Sequence, residues 1–225
     1  MFKPYETNTF YDEMLEGDKP KKHYIPFYQQ LQRFTENQLL EKHNEAQSSF
    51  LRQGITFTVY GEEGGTERTM PFDFVPIIIP EQTWNEIKQG MKQRVEALNL
   101  FLHDVYNDQE IVKAGIVPKE LIENNPYYYN QVIGAKIPLH NHIFLAGIDL
   151  IRDENGEYRV LEDNLRNPSG MSYVYQNRYV MRKVYPEFFK YYAIETLEAQ
   201  IEHLKGSLFS HRPNNVGERE ELHAV

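Results

Sequence analysis

The spacing of apolar residues along the chain predicts helices alternating with short extended segments. The clearest helix begins after Pro80, with Thr83 as its predicted N-cap, because apolar residues recur there at helical intervals and form one stripe. That stripe consists of Trp84, Ile87, Met91, Val95, Leu98, Leu102 and Val105. Polar residues occupy the opposite side, as expected for an amphipathic helix.

Weaker patterns predict the remaining elements. Further helices are expected over residues 24–43, 108–114, 171–183 and 186–208. Alternation of apolar and polar residues predicts a strand over residues 55–60, a glycine-rich turn over 61–65 and an extended segment over 66–79. The mixture of helices with antiparallel strands indicates an α+β fold.

The most informative pattern is a hairpin around Asn155-Gly156, with predicted strands over residues 142–152 and 157–163. An Asn-Gly pair between alternating strands favours a two-residue type I′ turn, because both residues must take positive φ. This register sets Asp149 opposite Glu162 and matches apolar residues across the strands. A four-residue loop is the alternative, and it would set Asp149 opposite Val160.

Oxygen-bearing side chains converge on one face of this hairpin in the first register. Asp149 and Glu162 would have their Cβ atoms about 4.5–5.5 Å apart, and two carboxylates that close repel unless a cation neutralises them. Asn164 points to the same face, and the three side chains form a hard-ligand set suited to Mg²⁺. Arg166 could reach that face and bind a phosphate or a carboxylate. The alternative is a surface hairpin whose acidic residues are solvated or paired with Arg166.

The amino-acid composition argues against several classes of binding partner and site. The chain has 225 residues and a formal net charge of −9, which argues against a broad nucleic-acid or anionic-membrane surface. It contains no cysteine, so disulfides and zinc-thiolate sites are excluded. The N-terminal residues lack the apolar run of a signal peptide, and every apolar run is too short to span a membrane. We therefore expect a cytoplasmic protein with neither nucleic acid nor membrane as a partner.

Three other patterns have plainer interpretations. The glycine-rich segment 61–65 lacks the Gly-Lys-Ser/Thr ending of a phosphate-binding loop, so a hairpin turn is favoured. His140 and His142 alternate like metal ligands, but an extended strand would put both on the face opposite Asp149, which favours a structural role. A glycosidase pair formed by Asp149 and Glu162 is disfavoured, because these carboxylates would lie too close together.

Several segments together resemble a known family. Asp149, the run Glu162-Asp163-Asn164 and the following Pro168-Ser169-Gly170 resemble the metal-binding pattern of ATP-grasp enzymes. The surrounding sequence resembles the circularly permuted ATP-grasp type 2 family. That family is similar to glutathionylspermidine synthases in the order of its ATP-grasp elements. The segments that carry this resemblance are residues 61–68, 71–73, 98–104, 146–149 and 161–166.

The resemblance implies an ATP-dependent carboxylate–amine ligase that works through an acyl phosphate. Asp149, Glu162 and Asn164 would bind Mg²⁺ or Mn²⁺, with ATP as co-substrate and a small molecule or peptide bearing the carboxylate and the amine. Arg166 would steady the acyl phosphate or the substrate carboxylate, and Ser169 and Gly170 would shape the loop behind it.

The resemblance also implies a domain organisation. Residues 1–208 would form the N-terminal portion of a circularly permuted ATP-grasp domain, and residues 209–225 would be a disordered polar tail. Family members continue beyond this region, so we expect a truncated chain that is inactive alone and that could pair with a separately encoded C-terminal half. The alternative is a non-catalytic fragment or interaction domain that lacks the nucleotide-clamping lobe.

Overall fold

The computed structural model describes residues 10–59, 66–69 and 71–212. In these residues the predicted α+β class is confirmed, because α-helices are combined with three two-stranded antiparallel sheets, β1-β2, β3-β4 and β5-β6. The helices are α1 Ile25–Leu31, α2 Glu36–Arg52, α3 Glu81–Val105, α4 Glu110–Lys113, α5 Lys119–Glu123, α6 Met171–Val184 and α7 Glu198–Ser210. The strands are β1 Leu15–Glu16, β2 Lys19–Pro20, β3 Thr56–Val59, β4 Thr66–Thr69, β5 Gly147–Arg152 and β6 Tyr158–Asn164.

The long amphipathic helix is confirmed as α3, although it begins at Glu81 and therefore contains Thr83 instead of being capped by it. The single helix predicted over residues 24–43 is wrong, because the chain breaks between α1 and α2. Thr35 begins α2 with a capping box: its hydroxyl accepts a hydrogen bond from the Gln38 amide at 3.3 Å, and the Gln38 side chain accepts one from the Thr35 amide at 2.9 Å. This reciprocal cap satisfies two backbone donors and fixes a new helix start.

The helix predicted over residues 186–208 is also divided. A 3₁₀ helix covers Pro186–Tyr191, Tyr192 is extended, and α7 follows later. The Tyr192 hydroxyl donates to the His23 carbonyl at 2.9 Å and accepts from the Phe27 amide at 3.0 Å. These long-range contacts explain why the chain leaves the helical path at Tyr192.

The strands β3 and β4 confirm the predicted extended pairing, with Thr56 opposite Thr69 and Phe57 opposite Arg68. The glycine-rich turn predicted over residues 61–65 lies outside the described residues, as do residues 213–225 of the predicted tail. No helix in the part of the chain that the structure describes is long and apolar enough to cross a membrane.

The chain divides into two compact units. The first unit comprises Met1–Glu81, Arg152–Arg159 and Ser169–Leu197, and the second comprises Gln82–Ile151, Val160–Pro168 and Glu198–Val225. The core of the first unit is built by α1, α2, α6 and the following 3₁₀ helix. Its buried residues are Tyr24, Phe27, Leu31, Ala46, Phe50, Val180, Met181, Val184, Tyr185 and Phe188.

Tyr24 connects this core to the extended segment before α3. Its side chain is fully buried, and its hydroxyl donates to the Pro76 carbonyl at 2.9 Å and accepts from the Ile78 amide at 2.8 Å. Burial raises the pKa of Tyr24 to about 12, because the phenolate would lose its hydration. The hydroxyl thus satisfies two backbone groups that would otherwise lack partners in the core.

Candidate metal site on the hairpin of β5 and β6

The hairpin lies where the sequence predicts it, but its turn differs from the predicted type I′ turn. The Gly156 amide donates to the Asp153 carbonyl at 2.9 Å, and the Asp153 amide donates to the Glu157 carbonyl at 3.0 Å. Gly156 has a φ of +83°, whereas Asn155 is not among the described non-glycine residues with positive φ. These contacts define a three-residue loop that ends in a bulge at glycine, so Asp153 faces Glu157.

The side chain of Asp153 explains this choice of turn. One carboxylate oxygen accepts from the amides of Asn155 at 3.0 Å and Glu157 at 2.9 Å, and the other accepts from Arg159 Nε at 2.9 Å. Aspartate at the first position of a turn commonly binds the backbone two residues on. The backbone bond from Glu157 is the largest cause that lowers the pKa of Asp153, followed by Arg159 and Asn155. The predicted register is therefore wrong at the turn.

The other end of the hairpin has a different register. A β-carbon added to Gly147 would lie in van der Waals contact with Cβ of Asn164, at 3.5 Å, so the two residues are neighbours across the hairpin. The chain advances six residues from Gly147 to Asp153 and seven from Glu157 to Asn164. Strand β5 has six residues and strand β6 has seven, which indicates a β-bulge in β6.

The exposure pattern of β6 locates this bulge. Exposed and partly buried residues alternate from Tyr158 to Leu161, and the alternation then breaks because Leu161 and Glu162 are both exposed. Strand β5 alternates through the same region, with Asp149 and Ile151 exposed. The first break in the alternation falls at Leu161–Glu162, and we infer that the extra residue lies there.

The three predicted metal ligands all belong to the second unit. Asp149 and Glu162 are exposed, and Asn164 is partly buried. Two carboxylates and an amide oxygen fit a hard cation such as Mg²⁺. No group of three histidine, aspartate or glutamate side chains forms a metal cluster in the described ranges; the predicted set is of a different kind, since its third donor is an amide. The pairing of Asp149 with Glu162 remains a prediction.

Asp163, between two of the predicted ligands, has a partner that the sequence did not suggest. Arg94 of α3 donates from Nε to Oδ1 at 2.7 Å and from Nη2 to Oδ2 at 2.6 Å. The hydrogen bond from Arg94 is the largest cause that lowers the pKa of Asp163, and the same contact raises the pKa of Arg94. Asp163 therefore points toward α3 as a carboxylate.

Arg166 follows the hairpin and contacts two tyrosines of the irregular segment before β5. Its Nη2 donates to the Tyr129 hydroxyl at 3.3 Å, and its guanidinium carbon lies 5.3 Å from the centre of the Tyr127 ring. Both tyrosines are substantially exposed, at 65% for Tyr127 and 45% for Tyr129. A cation–π contact with a ring restrains a guanidinium while leaving donors free for an anion.

Ser169 and Gly170 belong to the first unit, unlike the other predicted site residues. Ser169 is exposed, and Gly170 immediately precedes α6 with a φ of +94°. Such a conformation favours glycine, because a β-carbon would crowd the backbone there. Gly170 thus turns the chain into α6, while the role predicted for both residues in a substrate loop remains a prediction.

Segment 98–104, one of those that resemble the ATP-grasp family, forms hydrogen bonds that stabilise the neighbouring loops. The Asn99 side-chain oxygen accepts from the amides of His142 at 2.8 Å and Ile143 at 3.1 Å, and its nitrogen donates to Asn141 at 2.9 Å. Asp104 accepts from the first amides of α4, and these bonds are the largest causes that lower its pKa. Both side chains hold the connections that leave α3 and enter β5.

His140 and His142 are not on a strand, so their predicted placement opposite Asp149 is wrong. His140 has a φ of +52° at the end of a 3₁₀ helix, and both histidine rings lie beside His103 of α3. Nε2 of His142 is 3.4 Å from Nδ1 of His103. Burial is the largest cause that lowers the pKa of His142, and the charges of His103 and His140 add to it.

This histidine group predicts a pH dependence of stability. A histidine whose folded pKa is lowered stays neutral while the unfolded chain takes up a proton. The free energy of unfolding should therefore fall as the pH drops through the ordinary value of 6.5, until the folded protein also protonates. Urea unfolding between pH 8 and pH 5 should show a smaller decrease in His142→Asn. An equal decrease in wild type and variant would contradict the prediction; His203→Asn, at an exposed position of α7, is the control.

Comparison with known proteins identifies the family to which the chain is similar. The profile of the family described as circularly permuted ATP-grasp type 2 matches residues 76–225. An uncharacterized protein of Synechocystis sp. is 38% identical over 213 residues, which cover 94% of this chain and 44% of that protein. An uncharacterized protein of Mycobacterium leprae is 37% identical over 213 residues, which cover 92% of this chain and 37% of the relative.

One relative whose name states an enzymatic activity matches a shorter region of this chain than the two uncharacterized proteins do. The Frankia alni protein named "Putative glutamate--cysteine ligase 2-3" is 37% identical over 180 residues, which cover 79% of this chain and 20% of that protein. The chain thus spans less than half the length of these three relatives. The profile covers most of the chain, including the hairpin and the helices on either side. The chain therefore belongs to the circularly permuted ATP-grasp type 2 family.

Proposed function

We propose that this chain provides the Mg²⁺-binding part of an ATP-dependent ligase that joins a carboxylate to an amine. The observation that supports the proposal is that Asp149 and Glu162 are exposed and Asn164 is partly buried on the β5–β6 hairpin, where their oxygens would serve as ligands. Membership in the ATP-grasp family and similarity to a ligase-named protein support the same reaction class. The cytoplasm, which supplies ATP, is the compartment we propose.

The bulge in β6 supports the convergence of these ligands. With Asp153 opposite Glu157, an unbroken ladder would set Asp149 opposite Leu161. One extra residue at Leu161–Glu162 would move Glu162 into that position, in agreement with the contact between Gly147 and Asn164. Bulges commonly reorient a side chain next to a functional site in this way.

The proposed reaction has two steps. A carboxylate oxygen of the substrate attacks the γ-phosphorus of ATP, the bond to the bridging oxygen breaks, and ADP leaves. The amine then attacks the acyl carbon, phosphate leaves, and the amine loses a proton as the amide forms. A bound Mg²⁺ would neutralise phosphate charge during the transfer.

Arg166 would bind the acid substrate or its acyl phosphate. The guanidinium is exposed, and the contacts with Tyr127 and Tyr129 restrict its orientation. A preoriented guanidinium can bind two anionic oxygens at once, so it is well suited to a carboxylate or a phosphate. The proposed substrate is a small molecule or a peptide that bears the reacting carboxylate or amine.

Mn²⁺ titration tests the metal site. Mn²⁺ replaces Mg²⁺ at oxygen ligands, and the electron paramagnetic resonance signal of the free ion reports binding directly. Glu162→Gln removes one negative ligand and should weaken binding at least about tenfold. Glu154→Gln makes the same change at an exposed position of the turn and should leave binding unchanged. Equal weakening by both substitutions would indicate a general charge effect and contradict the site.

A second candidate is a non-catalytic fragment or binding domain. More than half of the Synechocystis relative lies outside the match. We propose that ligation requires a C-terminal half corresponding to that remainder, joined to this chain or separately encoded. ADP release should be measured with this chain alone and with the chain joined to the rest of the Synechocystis protein. Comparable ATP turnover by both would contradict the requirement.

A further inference from the structure

The contact between Arg94 and Asp163 has the geometry of a bidentate pair. Nε and Nη2 of Arg94 each donate to a different oxygen of Asp163, at 2.7 and 2.6 Å. The two residues are 69 positions apart in the sequence, and both belong to the second unit. Two parallel bonds fix the orientation of the carboxylate as well as its distance. Helix α3 therefore determines where Asp163 lies and how its carboxylate is turned.

The contact between Arg94 and Asp163 bears on the predicted metal ligands, because Asp163 is their neighbour on β6. Asp163 lies between Glu162 and Asn164, and successive side chains of a strand point to opposite faces. The side chain of Asp163 is 19% exposed, whereas Glu162 belongs to the exposed class. Holding Asp163 toward α3 consequently turns Glu162 and Asn164 to the other side of β6.

We propose that Arg94 is a positioning residue for the metal site, a role that rests on the proposed function. It acts through Asp163 and touches neither metal nor substrate. By fixing the rotation of β6 at Asp163, it keeps the oxygens of Glu162 and Asn164 directed to the face that also carries Asp149. The preceding bulge makes this constraint necessary, because a bulge interrupts the ladder that would otherwise set the strand's rotation.

A purely stabilising role predicts a different result. Arg94 is 42% exposed, and ion pairs that are open to solvent contribute little to global stability. Losing the contact should therefore change the melting temperature only slightly. The orientation of two ligands should change more, because side chains that orient metal ligands typically affect metal affinity about tenfold or more. Metal affinity and melting temperature should thus respond differently.

The test is Mn²⁺ titration of wild type, Arg94→Gln, Glu162→Gln and Arg159→Gln. Arg159 provides a matched control, because it also pairs with an aspartate of the same hairpin, Asp153, at 2.9 Å. We expect Arg94→Gln to weaken Mn²⁺ binding about tenfold and Arg159→Gln to leave it unchanged. Asp163→Asn, which removes the charge at nearly constant shape, should weaken binding in the same direction. Arg94→Lys keeps the charge without the bidentate bond, so its affinity should lie between those of wild type and Arg94→Gln.

The outcomes separate this proposal from the proposed function. If Glu162→Gln weakens binding and neither Arg94→Gln nor Asp163→Asn does, the metal site stands and the positioning role is wrong. If Glu162→Gln has no effect, the metal site itself is wrong and the positioning role fails with it. Equal weakening by Arg94→Gln and Arg159→Gln would also overturn the role, because it would indicate a general loss of hairpin order. Should Arg94→Gln fail to fold, as judged by circular dichroism, Asp163→Asn and Arg94→Lys decide the question.

Discussion

Replacing Gly147 by alanine is expected to lower the free energy of unfolding by about 1–3 kcal/mol and to weaken Mn²⁺ binding at the hairpin at least about tenfold. A β-carbon at this position would lie 2.7 Å from Cβ of Pro168, a separation that non-bonded β-carbons essentially never adopt. Neither the backbone of Gly147 nor the ring of Pro168 can move away easily. Gly147 is the first residue of β5, and the proline ring has no freely rotating side chain. The strand end opposite Asn164 must therefore shift, and a predicted metal ligand shifts with it.

Urea unfolding and Mn²⁺ titration measure the two effects of Gly147→Ala. The matched control is Gly90→Ala in the interior of α3, where an added β-carbon would meet no atom within 4 Å. Alanine is a better helix former than glycine, so this control should be stabilised by about 0.5–1 kcal/mol. Unchanged stability and affinity in Gly147→Ala would mean that the hairpin tolerates displacement, and that metal binding does not require a precise arrangement of Asp149, Glu162 and Asn164.

Replacing Tyr24 by alanine should destabilise the first unit by about 3–5 kcal/mol, the range measured for removing a large aromatic side chain from a core. The side chain is fully buried, and its ring packs edge-on against Phe27 with centroids 6.2 Å apart. The substitution also leaves the Pro76 carbonyl and the Ile78 amide without their partner. Tyr24→Phe retains the ring and should cost only about 1–3 kcal/mol for the unsatisfied groups.

Urea unfolding at neutral pH compares these two variants, and a second measurement at alkaline pH isolates the hydroxyl. Burial raises the pKa of Tyr24 to about 12, from the ordinary value of 10.0. The unfolded chain therefore ionises first, so stability should be lost as the pH rises from 10 toward 12. Tyr24→Phe should show a smaller loss in this interval. Equal stability of Tyr24→Phe and wild type at neutral pH would contradict the importance of the two backbone bonds.

The hairpin illustrates what the sequence can predict. The Asn155-Gly156 pair and the alternation around it correctly predicted two strands with a tight turn between them. The type of turn was wrong, because Asp153 supplies its own side-chain bonds to the backbone and favours a loop that needs positive φ only at Gly156. The apolar pair Val160-Leu161 interrupts the alternation of residue types, but residue types alone do not show that β6 has an extra residue, so the register could not be derived by counting from the turn.

The remaining parts of the site depend on contacts between distant residues. Arg94 occupies an ordinary polar position of α3, and its partner lies 69 residues away. Tyr129 meets Arg166 across 37 residues, in a segment without regular spacing. No local pattern encodes these pairs. The capping box of Thr35 and Gln38 is different, because its spacing was visible and could have predicted the start of α2.

The contacts within the hairpin also bear on how it can evolve. The ligand end and the turn of this hairpin are held by different contacts. Arg94 fixes that end through Asp163, while the tip at Glu154 and Asn155 is exposed. Surface turns of this kind tolerate insertions and deletions. The turn around residues 154–156 of this chain should therefore accept insertions and deletions more readily than the segment from Glu162 to Asn164.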